Sequence, residues 1–550
     1  MTMELSEQHL NQALSQLRQV PSFDGSTDQL NAFIKRIDYI LHLYPTRDVR
    51  QHSILYGAIE LQVTGDAQRI SQRTAANTWQ ELRNALIEEY KVQTPFEELL
   101  RRLYNTNYQG NVQQLKMPEQ NADQESQPQA PQESKAPVYD ASILPDMLPV
   151  YYRRLFPHEP FYRWLNYGHS EDNIFVNREI SFTLQDDIYI RYLCFETQAE
   201  LEKEICSRNP YKIDIGPVMN TRPKNFRTVA GGLTPVQREL VFDIDATDYD
   251  DIRNCCSGAE ICLKCWKFMM LAARVLDAAL REDFGFEHML WIFSGRRGIH
   301  CWVCDHTARH LDARARAAVA EYLNILTYTN NTARVQMGDR THHSLRRALK
   351  ILEPMFEEIV LEDQNLFGTP KGVNRLLQMV SDEAARNDLE SYLQKQHEDG
   401  AHSKLVWDSF VRYANSMRTS AANVWSRKLK HIVQEVQLCL LYPRLDINVT
   451  KGFNHLLKAP FCIHPATGKV CIPFSVSAVA KFDPTTVPTI SQLLQEINAY
   501  DDKTKSYMEA PEDKSRIKDY KKTSMFKGVV VFEEFLRKLE RNFKTKSMDF

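Results

Sequence analysis

Apolar positions along the chain change their period twice. Over the first hundred residues they recur every three to four: LNAFIKRIDYIL sets Leu30, Phe33, Ile34, Ile37, Ile40 and Leu41 on one helical face, and WQELRNALIEEY repeats the pattern. The pattern predicts a small all-helical domain over residues 1–110. KMPEQNADQESQPQAPQESKAP then offers almost no large apolar side chain, so burial cannot repay the entropy of ordering it, and 111–142 reads as a flexible linker. Beyond it the chain turns aromatic in YYRRLFPHEPFYRWLNYG, and strand-like and helical patterns alternate. ISFTLQDDIYIRYLCF, RELVFDID, HMLWIFSG, IHCWVCD and RLDINV read as strands, whereas WKFMMLAARVLDAAL reads as a helix through Trp266, Met270, Ala273 and Leu276. The stretch from about 312 to 440 is mainly helical, and the tail from Ile490 mixes charge with helical pieces. The expected architecture over 143–550 is α/β, with a mixed sheet and a helical subdomain inserted between strand-bearing parts.

Composition narrows the function. A formal net charge of −3 and a pI of about 6.6 create no global positive field, so any contact with a polyanion has to be local. The eleven cysteines are an odd number, and the polar start MTMELSEQHLNQ lacks the zones of a secretory signal, which sets a reducing compartment as the expectation. No stretch approaches the ~18 apolar residues that a membrane helix requires, so no membrane partner is expected.

Three local patterns carry chemistry. In RELVFDID, residues two apart on a strand share a face, so Asp243 and Asp245 point together while Phe242 and Ile244 turn into a core. Paired anions are costly to hold side by side unless a cation lies between them, and hard oxygen ligands suit Mg²⁺ or Mn²⁺; the bland alternative is a strand end entering solvent. Asp446 in YPRLDINV is a candidate third carboxylate, although an aspartate there is by itself more often a capping or surface residue. WIFSGRRGIHCWVCD reads as a hairpin presenting Ser294, Arg296, Arg297 and His300, whose guanidinium forks and flanking glycines match phosphate oxygens. Lys458 and His464 in HLLKAPFCIHP can add to the same anion site. Finally, NCCSGAEICLKCW gathers Cys255, Cys256, Cys262 and Cys265 within eleven residues, a ligand set for structural, tetrahedral Zn²⁺ in the loop 255–265. Cys301 and Cys304 face opposite sides of a strand and read as packing residues.

FDID, SGRRGIH, the CC-x5-C-x2-C cluster, RLDINV and HLLKAPFCIHP, in this order, resemble the catalytic small-subunit family of archaeal and eukaryotic primases, from about residue 143 to 550. The resemblance implies a DNA-directed RNA polymerase, a primase catalytic core that starts RNA primers on single-stranded DNA from ribonucleoside triphosphates. It implies that Asp243, Asp245 and Asp446 hold two divalent ions, and that Ser294, Arg296, Arg297, His300, Lys458 and His464 cradle the triphosphate. It adds Glu179 as a catalytic residue, Tyr189 and Arg191 beside it, and Lys212 and Asp214, the last on the ribose. It also implies an iron–sulfur-bearing large subunit and the DNA polymerase α complex as partners, and a nuclear site of action. A repair-type primase-polymerase and a catalytically silent zinc scaffold are the alternatives. SFDGSTDQLNAFIKRIDYIL and WQELRNALIEEY separately resemble the capsid-type domain of retrotransposon Gag polyproteins, an all-helical self-association module.

Overall fold

A computed structural model of the chain describes residues 6–90 and 139–546, apart from 26–28, 47, 75, 170–172, 229–230, 330–331, 381, 397–400, 420–429 and 506–516. The chain divides into two compact units near residue 132. Most of the expected linker, 111–138, lies outside the described residues. Tyr139 already belongs to the second unit, where its hydroxyl donates to the Pro465 carbonyl at 2.9 Å.

The first unit consists of the helices α1 Glu7–Arg18, α2 Leu30–Leu43, α3 Val49–Glu60, α4 Gly65–Thr74 and α5 Trp79–Tyr90. The side chains of Ser6 and Asp48 accept from the His9 and Gln51 N–H groups and so start α1 and α3. Leu17, Phe33, Ile37, Ile59, Leu82 and Leu86 form the core, on the faces their spacing dictates. Trp79 and Arg83 both donate to Asp38, tying α5 to α2.

The strands of the second unit are β1 Arg178–Thr183, β2 Tyr189–Leu193, β3 Lys212–Met219, β4 Pro235–Gln237, β5 Leu240–Asp245, β6 Met289–Phe293, β7 Gly298–Val303, β8 Thr327–Thr329, β9 Thr332–Arg334, β10 Leu457–Lys458 and β11 Pro473–Phe474. One sheet has the order β10-β3-β1-β2 with β4 also on β3; a second runs β11-β6-β7-β5; β8 and β9 form a separate hairpin within the helical insert. Every pairing between these strands is antiparallel, which corrects the expected mixed sheet: β1–β2, β6–β7 and β8–β9 are hairpins, and such neighbours need only short turns. ISFTLQDDIYIRYLCF is likewise two strands, because Asp186 and Asp187 adopt φ of 61° and 56° and turn the chain back. RLDINV is not a strand. Asp446 caps the short helix Ile447–Lys451, its carboxylate accepting from the Asn448 N–H at 3.0 Å.

The second sheet separates two cores, and this fixes where the carboxylates emerge. Leu240, Phe242, Ile244, Trp291, Phe293, Ile299 and Cys301 pack with the helix Leu263–Phe284 and the helical insert. Val241, Leu290, Ile292 and Trp302 join the core shared with β1, β3 and the C-terminal helix Phe526–Lys546. Asp243 and Asp245 follow Val241 on that same face, where it runs out of the core. Cys301 and Cys304 are buried on opposite sides of the sheet. At the root of β5, Arg178 and Tyr167 both donate to the buried Glu239 carboxylate, at 2.7 and 2.5 Å. Burial opposes its ionisation, but Arg178 outweighs it and holds the carboxyl down to about 2.

Candidate active site

The β5–β7 ladder sets Asp243 opposite His300 and Asp245 opposite Gly298, so the carboxylates and the base of the basic hairpin share one frame. The ladder comes this close because residue 298 is glycine: a Cβ there would lie 2.6 Å from the Ile244 carbonyl oxygen. At the hairpin tip Gly295 has φ of 87°, and a Cβ would meet the His464 Cβ at 2.8 Å, which brings the HLLKAPFCIHP segment directly against the turn. Asp446 joins from its own helix start, its N–H donating to the Asp243 carbonyl at 3.2 Å.

The three carboxylates respond to one another. Burial first, then the charges of Asp245 and Asp446, push the Asp243 carboxyl up to about 7. Burial also opposes ionisation of Asp245, but Arg297 and the Thr247 N–H and hydroxyl outweigh it and hold it below its ordinary value. Arg297 Nε donates to both Asp245 oxygens, at 2.7 and 2.9 Å. The aspartates act on one another, and among the described residues the cysteine cluster is the group of metal-type ligands gathered closely enough to hold an ion as it stands, its atoms within 4.8 Å of one another. Asp245 is held by Arg297 and Thr247, and Asp446 by its helix cap. The donor set is all hard oxygen, and burial together with the like charges of Asp245 and Asp446 disfavours ionisation of Asp243 in a way that a bound cation relieves, which fits a divalent Mg²⁺ or Mn²⁺.

Cations gather on the other side. Lys458 on β10 stands opposite Asp214 on β3 and donates through Nζ to the Ser294 carbonyl at 2.6 Å, linking the first sheet to the hairpin of the second. The Ser294 hydroxyl accepts from the Gly298 N–H at 3.0 Å and closes the turn. Burial, then the charges of Lys458, Arg296, Lys212 and Arg297, drive His464 down to about 3, so its ring is neutral near pH 7. Its Nδ1 accepts from the Ala466 N–H at 3.2 Å, which leaves the proton on Nε2 as a donor. His300, 3.6 Å from Asp243, is also held neutral, at about 3, by burial and Lys458.

The polar face of the first sheet continues the site. Glu179, Ser181 and Arg191 lie on it, with Asp214 opposite Ser181. Glu179 is buried and accepts from Arg191 Nε at 2.9 Å, and Ser181 donates to the Tyr189 hydroxyl at 3.1 Å. Burial raises the Asp214 carboxyl against the pull of Lys212 and Lys458. Lys458, through Asp214 on one side and Ser294 on the other, thus links this polar face to the basic hairpin. Thr247, which pins Asp245, and Asp248, raised by burial and by Asp245, were missed, although both stand just beyond FDID in the run FDIDATDYDD.

The thiols of Cys255, Cys256, Cys262 and Cys265 lie within 4.8 Å of one another. A tetrahedral Zn²⁺ with ~2.3 Å bonds needs sulfurs about 3.8 Å apart, and Cys262 and Cys265 are separated by 3.9 Å. Cys262 caps the helix Leu263–Phe284 and Cys265 lies in its first turn, where the helix dipole favours thiolate. The Cys255 thiol, the Cys262 N–H and Arg253 bring Cys265 down to about 5 despite burial, whereas burial pushes Cys256 up to about 12. Gln364 donates to the Cys255 sulfur at 3.4 Å and anchors the loop to the helical insert. Four sulfur ligands with no open position suit a structural ion.

Comparison with known proteins agrees with this division of the chain. Residues 242–476 match the family described as DNA primase small subunit, and residues 8–91 match the retroviral Gag protein N-terminal domain. The DNA primase small subunit of Drosophila melanogaster is 78% identical over 438 residues, spanning 79% of this chain and 100% of the relative. That of Schizosaccharomyces pombe is 42% identical over 63% of this chain and 77% of its own length. A retrovirus-related Gag polyprotein from the copia-like transposable element 17.6 of Drosophila melanogaster is 41% identical over 108 residues, 20% of this chain and 25% of that protein.

Proposed function

The chain belongs to the DNA primase small subunit family, nucleotidyltransferases that make RNA primers, and on that premise we propose that Asp243, Asp245 and Asp446 hold two divalent ions for joining ribonucleoside triphosphates on a single-stranded DNA template. Bound there, the ions would acidify the attacking 3′-hydroxyl and neutralise charge on the departing pyrophosphate. The observation that carries this reading is the Asp243 carboxyl, pushed up to about 7 by burial and by Asp245 and Asp446, because a cation relieves that repulsion. Arg296, Arg297, Lys458 and the Nε2–H of His464 cradle the triphosphate, and Ser294 holds the turn that presents them. Arg297, which pairs with Asp245, passes to phosphate when substrate binds. His300, neutral and beside Asp243, donates without adding charge, Lys212 adds charge near His464, and Asp214 reaches the ribose. Glu179 orients Arg191. These residues contribute position and electrostatics, and none of the aspartates serves as a proton shuttle.

A primase small subunit works with a large one; on this reading the partner carries the iron–sulfur cluster, the pair joins the DNA polymerase α complex, and both act in the nucleus. The cysteine loop holds Zn²⁺ for structure. The Gag-like first unit supplies self-association, so a fragment of residues 1–110 forms concentration-dependent oligomers in sedimentation; a strictly monomeric fragment overturns that part.

Primer-free synthesis on a poly-pyrimidine single strand, with and without Mg²⁺ or Mn²⁺, tests the central claim. Ribonucleotide products without an annealed primer support it. Products only from deoxynucleotides on an existing end favour a repair-type enzyme, and full synthesis by Asp243→Ala or Asp245→Ala eliminates the assigned site.

A further inference from the structure

Alongside the cleft stands a ladder of rings and cations of which the proposed nucleotide transfer uses only Arg191. Tyr192 is held at φ of 63°, a left-handed conformation that a bulky residue adopts at a cost and that turns its ring out of the alternation of β2. The ring lands on Phe226, with centroids 4.5 Å apart and planes inclined by 20°. The Arg191 guanidinium lies 5.1 Å over Tyr192, and that of Arg227 lies 5.2 Å over Phe226. Each ring thus has one guanidinium beside it, and Phe226 remains 39% exposed.

Its surroundings select the ligand. Residues 215–237 contain Arg222, Lys224 and Arg227 and no aspartate or glutamate, in a chain whose acids outnumber its bases 71 to 68. Arg222 and Lys224 share Glu196, at 2.6 and 3.8 Å, whereas among the described residues Arg227 has no ion-pair partner. Exposed stacked rings flanked by guanidinium groups suit a flat π-system joined to negative charge, which is an unpaired nucleobase with its phosphate. Arg191 connects the ladder to the cleft, because it also pairs with Glu179.

We propose that Tyr192, Phe226 and Arg227 form a stacking platform for one unpaired base of the template strand, with Arg227 engaging its phosphate. This assignment rests on reading the neighbouring cleft as the site of primer synthesis. Anisotropy of a labelled single-stranded DNA 20-mer carrying 2-aminopurine, titrated with the full chain over a range of salt, tests it. Phe226→Ala weakens binding by about tenfold, the scale of one base–aromatic stack, and Phe226→Trp restores it. Tyr192→Gly, which keeps the left-handed backbone without the ring, gives a similar loss with an unchanged melting temperature. Arg227→Ala lowers the slope of log K against log salt by about 0.7, one phosphate contact. ATP affinity stays constant in all of these variants.

Unchanged single-strand affinity in both Phe226→Ala and Tyr192→Gly overturns the platform, as does an equal loss for duplex DNA or a loss confined to single-stranded RNA. Asp243→Ala assayed in parallel separates the two claims. If the ladder variants bind normally while Asp243→Ala abolishes dinucleotide formation, only the platform falls; if Asp243→Ala still makes dinucleotides, the reading of the cleft falls with it.

Discussion

The cysteine loop and the aspartate cleft both offer anionic ligands to a cation, yet they are organised oppositely. The four sulfurs lie within 4.8 Å of one another, with Cys265 held low and Cys256 held high, so protons, an N-cap and Arg253 keep the group together. The aspartates are held apart instead, Asp245 by Arg297 and Asp446 by its helix cap. Thiols can share protons among themselves at ordinary pH, whereas the carboxylates here repel one another, and Asp243 is pushed up to about 7 by burial and by that repulsion. A closed, neutralised set suits an ion that stays, and an open, unrelieved set suits ions that arrive with substrate.

The largest expected effect breaks the open side. Asp243→Ala reduces primer synthesis on the order of a thousandfold or more, with zinc content and circular dichroism unchanged; retention of both activity and metal dependence would remove the distinction between the sites. Next, Cys265→Ser lowers bound zinc, read by atomic absorption, and drops the melting temperature by several degrees, while the fraction still folded keeps its catalytic rate. A mutant that loses catalysis with its fold intact would give the cysteine loop a direct part in the reaction. Arg297→Ala sharpens the contrast through opposite signs. The KM for ribonucleotide rises on the order of tenfold with a lost phosphate contact, while Mn²⁺ binds the nucleotide-free cleft more tightly because its competitor is gone.

The smallest effect is a pH dependence. Asp243, raised to about 7, carries a proton in the metal-free cleft below that pH. Metal must displace the proton, so Mn²⁺ affinity by calorimetry rises as pH approaches 7 and flattens above it. The metal-free fold binds this proton more tightly than the unfolded chain does, so its contribution to stability falls as pH climbs from the ordinary carboxylate range to 7, and added metal offsets the loss. The Cys265 region shows no matching metal-linked step once zinc is in place.

Patterning made most of this site legible, and the exceptions have local causes. Asp243, Asp245 and the hairpin follow from period-two alternation and a glycine-bounded turn, because strand geometry alone sets their faces. Asp446 followed from motif order but not from its element: Leu445, Ile447 and Val449 alternate, a pattern that a five-residue helix also accommodates, and the capping role weighed for Asp446 is the one its Asp-x-Asn run takes. The acidic pair Asp186–Asp187 could have marked the break between β1 and β2, as could the paired asparagines in TYTNNTAR between β8 and β9. The Arg178–Glu239 pair had no local signature, since its partners are 61 residues apart and meet only through the tertiary fold. The same holds for Arg191 over Tyr192 against Phe226, where a single left-handed residue redirects a side chain that alternation would send elsewhere.

Gly298 also sets what evolution can do with this fold. Its α-carbon stands where the strand bearing the acids presses on the strand bearing the histidine, and even one methyl group would have to wedge them apart. The residue touches no reactant, yet the position tolerates a single amino acid, and damage from any replacement would surface as slipped β-pairing before any altered chemistry.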